Sequence, residues 1–248
     1  MPFVAWTPPD TASLGSSTSP PTLGVNFMEA SQKEICIAMH AQKGQLTMTF
    51  HQDLALGVGG VLWNCGRALI ACMMRHPDLI RGHNVLELGC GTGAVGLASA
   101  LLQPRSVVLT DLPMLLPLAT RNTLRTRAEH AAVLASVEIA VHEYTWGTPP
   151  PRLPQTRDVV LCSDCLYDPC VFDSFRQSLL DLTHDESRVL LAYKQRMLAR
   201  ETEVLTSLAK HFDLRVYTTD DNDTSNFNQD NVFVFLLTRR PRVSILSA

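Results

Sequence analysis

Three glycines at alternate positions, set directly behind an apolar run, constrain this chain more than any other segment. The stretch is Val85-Leu86-Glu87-Leu88-Gly89-Cys90-Gly91-Thr92-Gly93. A helical pattern follows, with Ala94, Leu97, Ala98 and Leu101 on one face. Glycine is needed where a backbone turns sharply and lets a ligand come close to its N–H groups. Strand, glycine turn and helix opening are together the parts of a nucleotide cradle. The dinucleotide fingerprint spaces its glycines G-x-G-x-x-G, which suits a pyrophosphate. Here the spacing is G-x-G-x-G, with Glu87 two residues before the first glycine. A carboxylate in that place repels phosphate and suits a ligand carrying an ammonium group. The pattern therefore points to S-adenosylmethionine rather than NAD.

Strand-like and helical patterns alternate from Asn84 onward. The strand-like runs are 84–88, 106–110, 136–142, 158–162, 188–193, 214–217 and 232–237. Between most of them lie helical faces, among them Leu115, Leu118, Ala119 and Asn122, then Phe172, Phe175, Leu179 and Leu182, then Val204, Leu205 and Leu208. Such alternation predicts right-handed crossovers and a mostly parallel sheet covered on both faces. The last two runs are joined by 220–231, which has no helical period, so they can pair antiparallel at the sheet edge. The expected fold is α/β: a Rossmann-like, doubly wound, seven-stranded sheet with an antiparallel last strand. A short N-terminal β extension precedes it. Residues 1–25, rich in Pro, Ser and Thr, are expected to be a disordered tail. Residues 26–59 hold a hairpin around Lys43-Gly44, with Gly57, Gly59 and Gly60 leading into a helix that carries Leu62, Cys65, Leu69, Cys72 and Met73. Residues 60–248 form the main domain.

Composition narrows the partners. A formal charge of −3 argues against a nucleic-acid partner, which needs a basic face. Arg121, Arg125 and Arg127 fit a solvated helix face instead. No apolar run reaches the roughly 18 residues of a membrane span. The first basic residue is Lys33, unlike a transit peptide. Seven cysteines without a secretory signal fit reduced thiols in an intracellular, cytoplasmic or also nuclear protein. Cys162 and Cys165 form one C-x-x-C pair, but no second pair or spaced histidine accompanies it. Packing is expected there, and no metal site.

Ligands of open parallel sheets sit beyond the carboxyl ends of the strands, and several polar residues fall there. Asp111 ends the second run and suits the hydroxyls of a ribose, or the N-cap of the helix near Pro113. Trp146 follows the third run and either walls an adenine pocket or packs on the sheet. Trp63 either packs in the core or closes over the methionine part of the donor, where a ring face attracts a sulfonium cation. Asp164 and Tyr167 end the fourth run, where a carboxylate and a phenol can hold an incoming amine. Asp164 or Asp168 can alternatively cap the helix that carries Phe172.

These residues carry a resemblance. The chain resembles the protein-lysine methyltransferase branch of the seven-β-strand S-adenosylmethionine-dependent methyltransferases. That branch includes enzymes acting on chaperones, AAA ATPases and translation elongation factors. The matching segments are Gly60–Trp63, Glu87–Gly93 continuing to Leu97, Leu109–Pro113, Thr145–Gly147, Ser163–Tyr167, Leu191–Lys194 and Asn231–Phe233. The resemblance covers residues from about Ile35 to the C-terminus. It implies cofactor contacts from Trp63, Glu87, Gly89, Gly91, Gly93, Asp111, Trp146 and Ser163, and acceptor-lysine contacts from Asp164 and Tyr167. It further implies methylation of a non-histone protein; a monomer is expected, with no metal and no membrane. Family members often place Asp directly after the tryptophan matching Trp63, whereas this chain has Asn64. Alternative acceptors are a nucleic acid, a small molecule or another protein side chain such as histidine. The non-enzymatic alternative is a cofactor-binding interaction domain. The absence of proline in Ser163–Tyr167 disfavours the grip on a flipped base.

Overall fold

In the computed structural model, which describes residues 3–9, 32–41, 44–150, 157–217 and 231–241, the elements follow the alternation in the sequence. They are β1 (Phe3–Ala5), β2 (Glu34–Ala41), β3 (Gly44–His51), α1 (Asn64–Arg75), β4 (Asn84–Leu88), α2 (Ala94–Ala100), β5 (Ser106–Asp111) and α3 (Leu116–Glu129). There follow α4 (Ala131–Leu134), β6 (Glu138–Glu143), β7 (Val159–Ser163), α5 (Phe172–Leu182), β8 (Arg188–Lys194), α6 (Leu198–Ala209), β9 (Phe212–Tyr217) and β10 (Val232–Arg239).

The large sheet has the order β1-β9-β10-β8-β7-β4-β5-β6. Strands β4 to β8 pair in parallel, whereas β10 runs antiparallel to both β8 and β9. From β4 the chain moves outward to β5 and β6, then returns to the other side for β7 and β8. The carboxyl ends of β4 and β7 thus stand side by side, with Glu87 opposite Leu161, at the switch point where such sheets bind ligands.

All of β4 is buried, as a strand covered on both faces must be. Its alternation sends Val85 to the face under α1, α2 and the β2–β3 hairpin, and Leu86 and Leu88 to the face under α5 and α6. Phe50, Leu69, Met73 and Leu97 fill the first face; Phe175, Leu179, Leu205 and Phe212 fill the second.

The sheet has eight strands where seven were expected. The eighth, β1, lies in the segment expected to be a disordered tail, and it pairs antiparallel with β9. Phe3 packs at a tilt against Tyr217 and His76, with ring centroids 5.2 and 6.1 Å away, and Trp6 meets Phe235 edge-on. Two aromatic rings supply the burial that the Pro/Ser/Thr-rich remainder lacks. Residues 10–25 of that tail, 26–31 of the extension and 218–230 of the loop before β10 lie outside the described residues.

The hairpin is held by Asn122 on α3. Its Oδ1 accepts the N–H of His51 at 2.8 Å, and its amide nitrogen donates to the carbonyls of His51 and Thr92 at 3.0 and 2.8 Å. Arg125 on the same helix pairs with Glu34 of β2 at 2.8 Å and with Glu129 at 2.7 Å. The end of β3 is thereby fixed beside the glycine loop, and the chain that leaves it reaches over that loop. Among the described residues no single helix is long and apolar enough to cross a membrane.

Candidate active site

The segment after β3 forms a strap of 3-10 turns, Leu54–Gly60. Asp53 closes it: its carboxylate accepts the N–H of Ala55 at 3.0 Å, and its own N–H donates to Gly60 at 2.8 Å. The indole of Trp63 donates to the Val58 carbonyl at 2.7 Å. Below the strap lies a cleft of about 800 Å³ at the carboxyl edge of β4, β5 and β7. Trp63, Glu87, Gly89, Gly91, Asp111, Trp146, Ser163, Asp164 and Tyr167 all line it.

Gly89, Gly91 and Gly93 all have left-handed backbones, with φ of 74°, 54° and 77°. At two of them space is as binding as conformation. A Cβ on Gly89 would stand 2.7 Å from the Trp146 ring, and one on Gly91 would stand 2.5 Å from the Gly59 carbonyl oxygen. Gly93 differs from the other nine expected site residues: it does not line the cleft. Its N–H donates to Cys90 at 2.7 Å and its carbonyl accepts from Leu97 at 2.9 Å. It ends the turn and starts α2, one layer behind the cavity.

Two buried carboxylates face this cleft. Glu87, 1% exposed, accepts the N–H of Gly96 at 2.8 Å. Burial pushes its carboxyl well above the ordinary value; the Gly96 bond opposes the shift, and the nearby Asp111 charge adds to it. Asp111 accepts the N–H groups of Gly91 at 2.6 Å and Leu112 at 2.7 Å. Burial raises its carboxyl too, against those two bonds. The capping alternative for Asp111 does not hold, because α3 starts at Leu116 with Leu115 as its N-cap and no side-chain cap bond. Among the described residues neither carboxylate has a basic partner. A cationic ligand would stabilise both.

Trp146 lines the cleft and also packs on Phe175, with centroids 5.3 Å apart. Neither Asp164 nor Asp168 caps α5, which has Val171 as its N-cap and no side-chain cap; Asp168 instead caps a 3-10 turn at Pro169–Val171, accepting the N–H of Cys170 at 2.9 Å. Asp164 is thus free of capping and turns into the cleft. Tyr167 is 40% exposed. Burial of its phenol, followed by the neighbouring Cys165, Asp168, Asp111 and Asp164, raises its pKa and keeps it a neutral donor. All seven cysteines are free thiols. Burial drives the Cys165 thiol well above its ordinary value, as suits a packing residue.

Arg196 was not anticipated. It stands two residues beyond the end of β8, lines the same cleft, and clamps Asp164 through two bonds, at 2.8 and 2.7 Å. Burial pulls the guanidinium down, but its bonds to Asp164 outweigh that and raise it. Its position just past a strand end, beside β7, was the available signal.

The switch-point cleft, the glycine loop and the unpartnered carboxylates define an S-adenosylmethionine-dependent methyltransferase. The cradle fits that donor: the backbone of Gly89 and Gly91 lines the cleft, and Glu87 and Asp111 offer two acidic groups to a cationic molecule. A family model described as lysine methyltransferase matches residues 42–211. The chain is 29% identical to the protein-lysine N-methyltransferase EFM6 of Saccharomyces cerevisiae over 74% of its length and 82% of that protein. It is 32% identical to the protein N-lysine methyltransferase METTL21A of Danio rerio, over 71% and 82%. It is 30% identical to EEF1A lysine methyltransferase 3 of Mus musculus, over 81% and 82%. In fold it is similar to the Escherichia coli protein yhhF, with a TM-score of 0.50 and 13% identity over 84% of this chain and 99% of that one. The chain belongs to the lysine methyltransferase family. Its donor is S-adenosylmethionine and its activity is protein-lysine N-methylation.

Proposed function

We propose that this enzyme methylates a lysine of a non-histone protein of the translation machinery, with elongation factor 1A as the first candidate. One relative is an EEF1A lysine methyltransferase, which supports the target class. In this reading the enzyme acts as a monomer, in the cytoplasm and also in the nucleus, on protein and not on nucleic acid.

The single observation that carries the reading is that Asp164 and Tyr167 share one cleft with the glycine loop and its two carboxylates. Glu87 would meet the ammonium of the donor, Asp111 the ribose hydroxyls, and the N–H groups at Gly89 and Gly91 the backbone-facing side. Trp146 would wall the adenine, Trp63 would cover the methionine part, and Ser163 would contact the donor between the two halves of the cleft. Gly93 acts through the turn. Asp164 and Tyr167 would receive the acceptor amine.

When bound, S-adenosylmethionine supplies an electrophilic methyl group: the amine lone pair forms the N–C bond as the C–S pair returns to sulfur, leaving S-adenosylhomocysteine and a proton for solvent. The residues of the chain supply alignment and exclusion of water. A lysine must arrive neutral, which at pH 7 costs about 4.6 kcal/mol from its free pKa near 10.4. A low-dielectric slot beside a cation lowers that cost. Both oxygens of Asp164 are engaged by Arg196, so Asp164 serves as an orienting acceptor rather than a base. Tyr167 narrows the slot.

The test is transfer of tritiated methyl from S-adenosylmethionine into purified elongation factor 1A and, in parallel, into a cell extract whose nucleic acid is left intact and whose label is fractionated into protein and nucleic acid. Methyl-lysine in the hydrolysed factor is the expected product. Label in nucleic acid or in methylhistidine would overturn the acceptor assignment. Label confined to a chaperone or an AAA ATPase would overturn the translation target alone.

A further inference from the structure

We infer that Arg196 is a positioning residue for methyl transfer: it fixes Asp164 and cancels its charge, so that the acceptor end of the cleft receives a neutral amine rather than an ammonium. This rests on the lysine-methylation reading above.

Asp164 is held on three sides. Its backbone is left-handed, with φ of 54°, a conformation that aspartate tolerates better than most residues. Its N–H donates to Ala192 at 2.7 Å. Its carboxylate is forked onto the Arg196 guanidinium, and both side chains are 7% exposed. A bidentate pair of this kind fixes orientation as well as charge.

Arg196 is itself anchored. Its side chain donates to the Lys194 carbonyl at 3.2 Å, and its backbone N–H donates to Glu201 at 2.8 Å. Glu201, fully buried, also accepts the N–H of Met197 at 3.1 Å, one residue before α6 begins. Its second oxygen has no hydrogen-bond partner among the described residues. Such a carboxylate is costly to bury, yet it holds the backbone of the one residue that clamps Asp164. The chain Glu201–Arg196–Asp164 thus runs from the start of α6 into the cleft.

The chemistry follows from lone pairs. A carboxylate has about four acceptor positions, and a bidentate guanidinium uses two. The Cys65 thiol bonds the same carboxylate and takes a third, so the one left can take an N–H bond from an amine and aim its own lone pair at the methyl group. A bare buried carboxylate would instead hold the lysine as ammonium, which has no lone pair to give. The groups facing the pair are the Cys65 thiol from α1, Tyr167 from the loop after β7, Lys194 from β8 and Glu201 from α6. Glu87 and Asp111 lie on the donor side of the same cleft. Burial and the nearby Asp164 keep the Cys65 thiol neutral.

The test compares wild type, Arg196→Met and Arg196→Lys on the acceptor labelled by wild-type enzyme. It reads kcat against pH, KM for S-adenosylmethionine, and S-adenosylhomocysteine affinity by calorimetry. For Arg196→Met, kcat near neutral pH should fall about tenfold or more, while the other two stay within about twofold. Its pH profile should move about one unit to the alkaline side, since the freed carboxylate stabilises ammonium. Arg196→Lys keeps the charge and loses the fork, so it should recover part of kcat and keep the wild-type pH profile. The inference is overturned if Arg196→Met keeps its kcat, or loses it with an unmoved pH profile. Should Arg196→Met fail to bind S-adenosylhomocysteine, Arg196→Lys decides alone: unchanged kcat or an alkaline shift overturns the proposal. Absence of methyl-lysine with wild-type enzyme would sink the lysine reading instead.

Discussion

The carboxylate of Asp111 accepts the backbone N–H of Gly91 at 2.6 Å, joining the end of β5 to the middle of the glycine loop. Asp111 therefore shapes the cradle before any ligand arrives. Its lone pairs not used by Gly91 and Leu112 remain open to a ligand, which in the proposed reading is the ribose.

Asp111→Ala removes both functions. S-adenosylhomocysteine binding should weaken by about 1–3 kcal/mol, as for loss of a buried charged acceptor. Titration calorimetry measures this, and unchanged affinity would place the donor elsewhere.

Glu87→Gln should stabilise the free protein while harming binding. The Glu87 carboxyl titrates higher folded than unfolded because of its burial. The folded state therefore binds the extra proton between the two values, so this residue's contribution is full below the ordinary value of 4.5 and is lost as pH rises. Glutamine stays neutral throughout. The variant should melt above wild type near pH 7, and the gain should vanish in acid below 4.5. Affinity for S-adenosylhomocysteine should drop about tenfold with loss of the charged acceptor. Scanning calorimetry across pH reads the first effect.

Asp164→Ala should abolish methyl transfer and leave S-adenosylhomocysteine affinity near wild type. It also strands Arg196 in a buried site, with an expected stability loss of about 3–5 kcal/mol. Denaturant titration alongside the label assay separates the two effects. Surviving activity would remove Asp164 from the acceptor site.

Asn122→Ala cuts three hydrogen bonds, one buried and two part-buried, that tie the hairpin to α3 and the glycine loop. A loss of about 3 kcal/mol corresponds to a drop of roughly 6–12 °C in thermal midpoint for a chain of this size. A weaker donor affinity should accompany it, because the strap over the cleft starts where this tie ends. A midpoint within a degree or so of wild type would show that the apolar contacts of the hairpin suffice.

Much of this protein was legible from local pattern. The β4 strand, the glycine turn and the face Leu97 presents to the sheet depend on periods of two and 3.6 residues and on the φ freedom of glycine, all written within a few positions. Asp111 and Asp164 were recognisable because strand ends in a parallel sheet face the ligand side together. The short strand at Phe3–Ala5 was missed, because three residues carry too little periodicity to stand out against a Pro/Ser/Thr-rich surround. What gives it a place is the Tyr217 ring and the unpaired edge of β9, far along the chain.

Other features existed only once the strands were ordered. Asp164 and Arg196 are 32 residues apart and meet because β7 and β8 are neighbours. Asn122 reaches His51 across 71 residues because the hairpin folds back on α3. Gly93 shares its spacing with Gly89 and Gly91, yet the start of α2 turns it away from the cavity. Backbone conformation and the alternation of faces are short-range and steric, so residue order alone dictates them. Which charges pair, and which side chains share a cavity, depends on distances that only the packed sheet sets.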